Sequence, residues 1–261
     1  MQQKTAVRQR RRGGRKKIIL ITIAAFLALC IGASAIYLNI HYSAGEAAMQ
    51  AMQGGDGVTV SETDGAFFFD GKGTDAALAF YPGGKVDSEA YAPLMKKLAA
   101  GGVDCFLLRL PFRLAVLDMN AADRVVSGYD YKYWLVGGHS LGGVAAASYS
   151  DSHADTICGS VLLASYPSGK MSENAPPVLS VYGTRDGVMD PDKFREAQPY
   201  LPPFSVTEQI SGGNHAGFGD YGAQDGDSEA TITADKQQEQ TAALVFSWVQ
   251  LLQSQMLGGI K

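Results

Sequence analysis

The chain has 261 residues, 46% of them hydrophobic and 18% charged, with a formal net charge of −4. This is an ordinary globular balance, with room for one sizeable domain and an appendage. The charge is unevenly placed: eight of the 22 basic residues fall within residues 1–17, leaving 14 to face 26 acidic residues, a net of −12. So acidic a remainder argues against nucleic acid or an anionic lipid surface as its partner.

The basic tail, 1–17, runs directly into IILITIAAFLALCIGASAIYLNI (18–40), which holds no charged residue. About 20 apolar residues suffice to cross a bilayer core, and a helix in a globular core is rarely apolar on every side for so long. The flanking cations predict a cytoplasmic N-terminus, with the rest of the chain extracytoplasmic. The rival reading is a cleaved signal peptide and a secreted product, because Ala33–Ala35 resembles a cleavage site. The anchor is preferred since the apolar run continues past that point. Residues 41–56 read as a linker and 57–261 as the folded domain.

The domain opens with two β-like runs, GVTVSET and GAFFFDG, that read as a hairpin. Strand and helix patterns then alternate. Strands are predicted over 77–84, 103–110, 131–138, 157–165, 177–183 and 204–210. Helices are predicted over 88–102, 112–128, 141–153, 190–201 and from Ala234 to Met256. Strands apolar throughout, alternating with amphipathic helices, predict an α/β fold: a mostly parallel central sheet with helices on both faces. Cys105 and Cys158 fall on strands too far apart for a disulfide, and no metal-ligand spacing appears among cysteines or histidines.

In an open parallel sheet, functional groups gather at the carboxyl ends of the strands. After the strand 131–138 comes GGHSLGG, a sharp strand-to-helix turn with Ser140 at its tip. Gly138 and Gly142 are expected there because side chains would collide across the turn. A serine needs a base, and in such turns the chain order is Ser, acid, His. Of the four histidines only His215, in the glycine-rich SGGNHAGFGDYG, follows the candidate acids. Asp186, beyond the strand 177–183, is the expected acid, with Asp190 the alternate. The backbone N–H of Leu141 and that of Gly83 or Gly84, in YPGGK, are the expected oxyanion donors.

FYPGG, GGHSLGG, YGTRDG and GGNHAGFGDYG together resemble, in order, the oxyanion loop, nucleophile elbow, acid turn and histidine loop of the α/β-hydrolase superfamily. The chain looks closest to its compact bacterial members related to dienelactone hydrolases. The resemblance covers about residues 57–256 and implies a Ser140–Asp186–His215 triad. It departs from larger members in that the 166–177 connection is too short for a cap, which implies an open site. The expected activity is hydrolysis of an ester, thioester or amide of a small-molecule or acyl substrate through an acyl-enzyme. No metal or organic cofactor is implied, and the membrane is met through the N-terminal helix.

The alternative is a non-catalytic domain of the same fold, a binding or scaffolding ectodomain that kept the elbow. The complete set of Ser, acid, His and glycines weighs against it. His139 is expected to pack, pointing away from the serine oxygen. Tyr81 and Arg109 lie at strand ends, where substrate contact competes with packing or a surface ion pair. Asp220, Asp225 and Asp227 read as a solvated loop rather than a calcium cage.

Overall fold

The computed structural model describes residues 2–258, which divide into two units at His41/Tyr42. The first unit is one helix, α1 (Gln2–Asn39). Its Leu20–Asn39 stretch is long and apolar enough to cross a membrane.

The second unit begins at Tyr42. The 41–56 segment, expected as a linker, is instead part of the domain from Tyr42 onward. Tyr42 N–H donates to the Lys85 carbonyl, and the short helix α2 (Glu46–Ala51) buries Ala48 and Ala51. The Asp220 carboxylate accepts the Ala48 N–H at 2.7 Å, satisfying one of the donors a helix start leaves open.

An α/β sheet of eight strands follows: β1 (Thr59–Thr63), β2 (Ala66–Asp70), β3 (Ala76–Tyr81), β4 (Val103–Leu108), β5 (Tyr133–His139), β6 (Ile157–Leu163), β7 (Val178–Gly183) and β8 (Val206–Ile210). The order across it is β1-β2-β4-β3-β5-β6-β7-β8. The predicted hairpin, β1–β2, is antiparallel and joins β4 antiparallel; β3 through β8 are parallel. The chain moves outward from β3 to β4, then returns to lay β5 on the other side of β3. That reversal opens a crevice at the carboxyl ends of β3 and β5.

Alternation along the strands assigns the two cores. Leu78 and Phe80 of β3 face one layer, with α3 (Ala92–Ala100) and α7 (Ala234–Gly258) supplying Leu94, Leu98, Val245 and Trp248. Ala77, Ala79 and Tyr81 face the other, with α5 (Leu141–Ser152) supplying Ala145, Ala146 and Tyr149. Each large side chain so buried contributes about 1.5–3 kcal/mol. Cys105 on β4 and Cys158 on β6 are free thiols with β3 and β5 between them.

The helix predicted over 112–128 does not form as one element. The segment holds 3-10 turns at Pro111–Arg113 and Ala115–Leu117, and only Asp123–Val126 is α-helical (α4). Phe112 and Arg113 have φ of 51° and 58°, which no right-handed helix admits. Tyr81 Oη also pins the segment, donating to the Met119 carbonyl and accepting the Ala122 N–H. Tertiary contacts override the apolar spacing here.

Candidate active site

β5 runs into Ser140, whose φ of 51° and ψ of −122° are unusual for a residue with a side chain. Such a backbone persists only when its surroundings over-determine it. Ser140 N–H donates to the Leu163 carbonyl, and the Ser140 carbonyl accepts from Ser165 Oγ at 2.7 Å. The turn is as tight as its glycines suggest. A Cβ on Gly138 would lie 2.4 Å from the Gly142 oxygen, and one on Gly142 would lie 2.2 Å from the Tyr81 oxygen.

His215 and Asp186 come together from the ends of β8 and β7. His215 Nδ1 is 2.9 Å from Asp186 Oδ2, with the two side chains only 2% and 3% exposed. The carboxylate partner puts the proton on Nδ1 and leaves Nε2 as the acceptor. Asp186 Oδ1 takes the N–H groups of Val188 and Met189, so the carboxylate is fixed on both sides. His215 Nε2 is buried without a hydrogen-bond partner. It shares a cavity of ≈ 380 Å³ with Ser140, and no hydrogen bond joins the two. Asp190, the alternate acid, caps the helix α6 (Pro191–Ala197) by accepting from Asp192 and Lys193 N–H.

The two glycines expected as oxyanion donors differ. Gly83 N–H donates to Tyr91 Oη at 3.0 Å in a buried bond. Gly83's single donor is thereby taken by Tyr91 in this structure. Gly84 and Leu141 N–H make no hydrogen bond among the described residues. Tyr91 Oη, having accepted from Gly83, donates its own proton to His139 Nδ1 at 2.8 Å. The His139 ring packs 4.5 Å from that of His215. Burial, and then the neighbouring His215, hold its pKa well below the usual histidine value, so it stays neutral.

Asp227 was missed as a site residue. One carboxylate oxygen accepts from Gly187, His215 and Ser228 N–H, and the other from Ala216 N–H. It thereby fastens the Asp186 turn to the His215 loop. Its only sequence signal was a polar side chain in a loop beside the histidine. Tyr81 and Arg109 have structural partners, Arg109 pairing with the exposed Glu62 at 3.1 Å.

The β6–β7 connection contains no helix or strand. It is held down by Ser172 N–H on Asp151 and by Met171 N–H on the Tyr200 carbonyl. From it Ala164, Ser165 and Tyr166 line the cavity, opposite Val188 and Met189 of the acid turn.

This fold and strand-end arrangement define an α/β hydrolase. Residues 77–239 match the model of the alpha/beta hydrolase family, and the chain belongs to that family. A search of the curated proteins found no sequence match. Solved structures share the fold at low identity. A membrane phospholipase A described as a bacterial virulence factor has 11% identity and a TM-score of 0.58, covering 88% of this chain and 98% of its own. Dienelactone hydrolase from Anabaena variabilis has 12% identity and a TM-score of 0.54, covering 73% and 98%. Est1E from Butyrivibrio proteoclasticus has 12% identity and a TM-score of 0.53, covering 74% and 99%.

Proposed function

We propose that the protein is a serine hydrolase that cleaves an ester, or a thioester or amide, through Ser140, His215 and Asp186. The observation that carries this reading is the buried His215–Asp186 pair, whose Nε2 has no hydrogen-bond partner and whose histidine lines the same cavity as Ser140. Ser140 Oγ attacks the carbonyl carbon while Nε2 takes its proton. Asp186 stabilises the imidazolium and keeps the Nδ1 tautomer. The oxyanion is received by Leu141 and Gly84 N–H, the former at the start of α5, where the helix dipole favours negative charge. Nε2 returns its proton to the leaving group, and water activated by His215 then releases the acid and restores Ser140. Esters are preferred because an alkoxide needs less help in leaving than an amine.

Labelling with a fluorophosphonate probe tests this. Wild type is expected to label and Ser140→Ala not to; an unlabelled wild type, or equal labelling of both, refutes the reading and favours the non-catalytic ectodomain. The Leu20–Asn39 stretch supports a single-pass anchor with the basic tail cytoplasmic and the catalytic domain extracytoplasmic. Mass spectrometry of the mature N-terminus distinguishes this anchor from a cleaved signal.

A further inference from the structure

We propose that the Pro111–Leu117 loop is a bilayer-docking element and that the substrate is an acyl-ester lipid drawn from that bilayer. The inference rests on the serine-hydrolase reading and on the N-terminal helix as an anchor. Phe112, Val116 and Leu117 are 56%, 52% and 55% exposed on this one loop. A lone surface apolar residue needs no explanation, but a cluster on a single loop marks a contact surface.

The loop is also strained, with Phe112 and Arg113 in succession at positive φ. Strain of this kind is held by neighbours and concentrates at functional segments. Here the Arg113 carbonyl accepts Lys85 N–H at 2.9 Å, and the Arg113 guanidinium pairs with Asp87 at 2.5 Å. Lys85 directly follows Gly84, the proposed oxyanion donor. The conformation that turns Phe112 outward is therefore braced against the backbone of the site.

Chain connectivity selects the occupant. Tyr42 N–H donates to the Lys85 carbonyl, and the Tyr42 carbonyl accepts Asp87 N–H, so the chain enters the domain on the Lys85–Asp87 segment, the same segment to which Arg113 of the apolar loop is bonded. Only Ile40 and His41 lie between Tyr42 and Asn39, the end of the membrane-length stretch. A connection that short spans no more than roughly 10 Å. The apolar loop, bonded through Arg113 to the segment where the chain enters, is thus close along the chain to the proposed anchor, which makes a bilayer the occupant we assign to it. The domain's acidity disfavours recruitment by anionic headgroups, so apolar insertion is the mode of docking. The reaction cavity agrees in character: Val144, Ala164, Tyr166, Val188 and Met189 give it apolar walls suited to an acyl chain.

The test uses the full chain reconstituted in phosphatidylcholine bilayers, with two substrates: a long-chain fluorogenic acyl ester within the bilayer and a short-chain nitrophenyl ester in the water. The triple variant Phe112→Ser, Val116→Ser, Leu117→Ser is expected to lose about tenfold or more on the embedded ester and to keep its rate on the soluble one. Equal loss on both, or no loss on either, overturns the proposal. Wild type active on the soluble ester and inert on the embedded one also overturns the proposal while leaving the hydrolase reading intact; wild type inert on both and unlabelled by fluorophosphonate removes the hydrolase reading, and this inference with it. A second measurement does not depend on activity. Trp134 and Trp248 are buried in the core, so Phe112→Trp adds a tryptophan that reports on the loop alone. Brominated lipids are expected to quench it, and an unquenched signal overturns docking whatever the enzyme does.

Discussion

Replacing Asp227 by Asn keeps the size of the side chain and removes one of the two acceptor oxygens. The wild-type carboxylate accepts Gly187 N–H at 3.0 Å, Ser228 at 2.9 Å and His215 at 3.3 Å on one oxygen, and Ala216 at 2.9 Å on the other. Whichever way the amide turns, its NH₂ faces a backbone N–H that then has no acceptor. A hydrogen bond to a charged group is worth about 1.5–3 kcal/mol, and an orphaned donor costs a similar amount. The expected loss of stability is about 2–3 kcal/mol, or roughly 4–12 °C in Tm for a domain of this size. The larger effect falls on the reaction, because Gly187 follows Asp186 and Ala216 follows His215. Misplacing a reacting group by about 1 Å costs on the order of 100-fold. The expected outcome is kcat lowered roughly 10- to 100-fold, fluorophosphonate labelling slowed in parallel, and KM changed little. Asp225→Asn, at an exposed position in the same loop, is the control. An Asp227→Asn enzyme with wild-type kcat and labelling rate refutes the reasoning, and so does an equal effect from the control.

Tyr91→Phe removes the acceptor of Gly83 N–H and the donor to His139 Nδ1 while preserving the ring packing. With the oxyanion loop released, kcat is expected to fall about tenfold with KM within about twofold, and a uniform rise in KM would refute a positioning role. His139 gives a pH dependence. Its folded pKa is lowered by burial, so below about 6.5 the unfolded chain binds a proton that the folded chain refuses. Its contribution is therefore intact above that value and is lost as pH falls, at about 1.4 kcal/mol per pH unit. Urea melts at pH 7 and pH 5 are expected to show a steeper loss for wild type than for His139→Gln; parallel losses would mean that His139 titrates freely in the folded protein.

What could be read from the sequence depended on the backbone more than on side chains. Chain order, strand ends and the glycines around Ser140 follow from how a strand must turn into a helix. They were sufficient to nominate residues that the fold brings together from distant positions. Spacing could not separate Gly83 from Gly84, since the difference lies in Tyr91, whose hydroxyl reaches back to one N–H and not the other. Asp227 was hidden because an aspartate in a polar loop looks the same whether it is solvated or accepts backbone donors. The 112–128 segment misled for a different reason. Its apolar residues have helical spacing, but Phe112 and Arg113 take positive φ under contacts from Lys85, Asp87 and the Tyr81 anchor, none of them local.

These hidden contacts divide the site into two halves along the sheet. On the β3–β5 side, Gly83, Tyr91 and His139 bind the oxyanion loop to the elbow, and Ser165 holds the Ser140 carbonyl. On the β7–β8 side, Asp186, His215 and Asp227 bind the acid turn to the histidine loop. The halves meet where the rings of His139 and His215 lie 4.5 Å apart. A charged His139 there would repel the imidazolium that the proposed transfer of the Ser140 proton to His215 would form. Burial that keeps His139 neutral thus serves the second half as well as the first. The residue before the serine, which the sequence suggested only as packing, lies at the join across which the proton would pass.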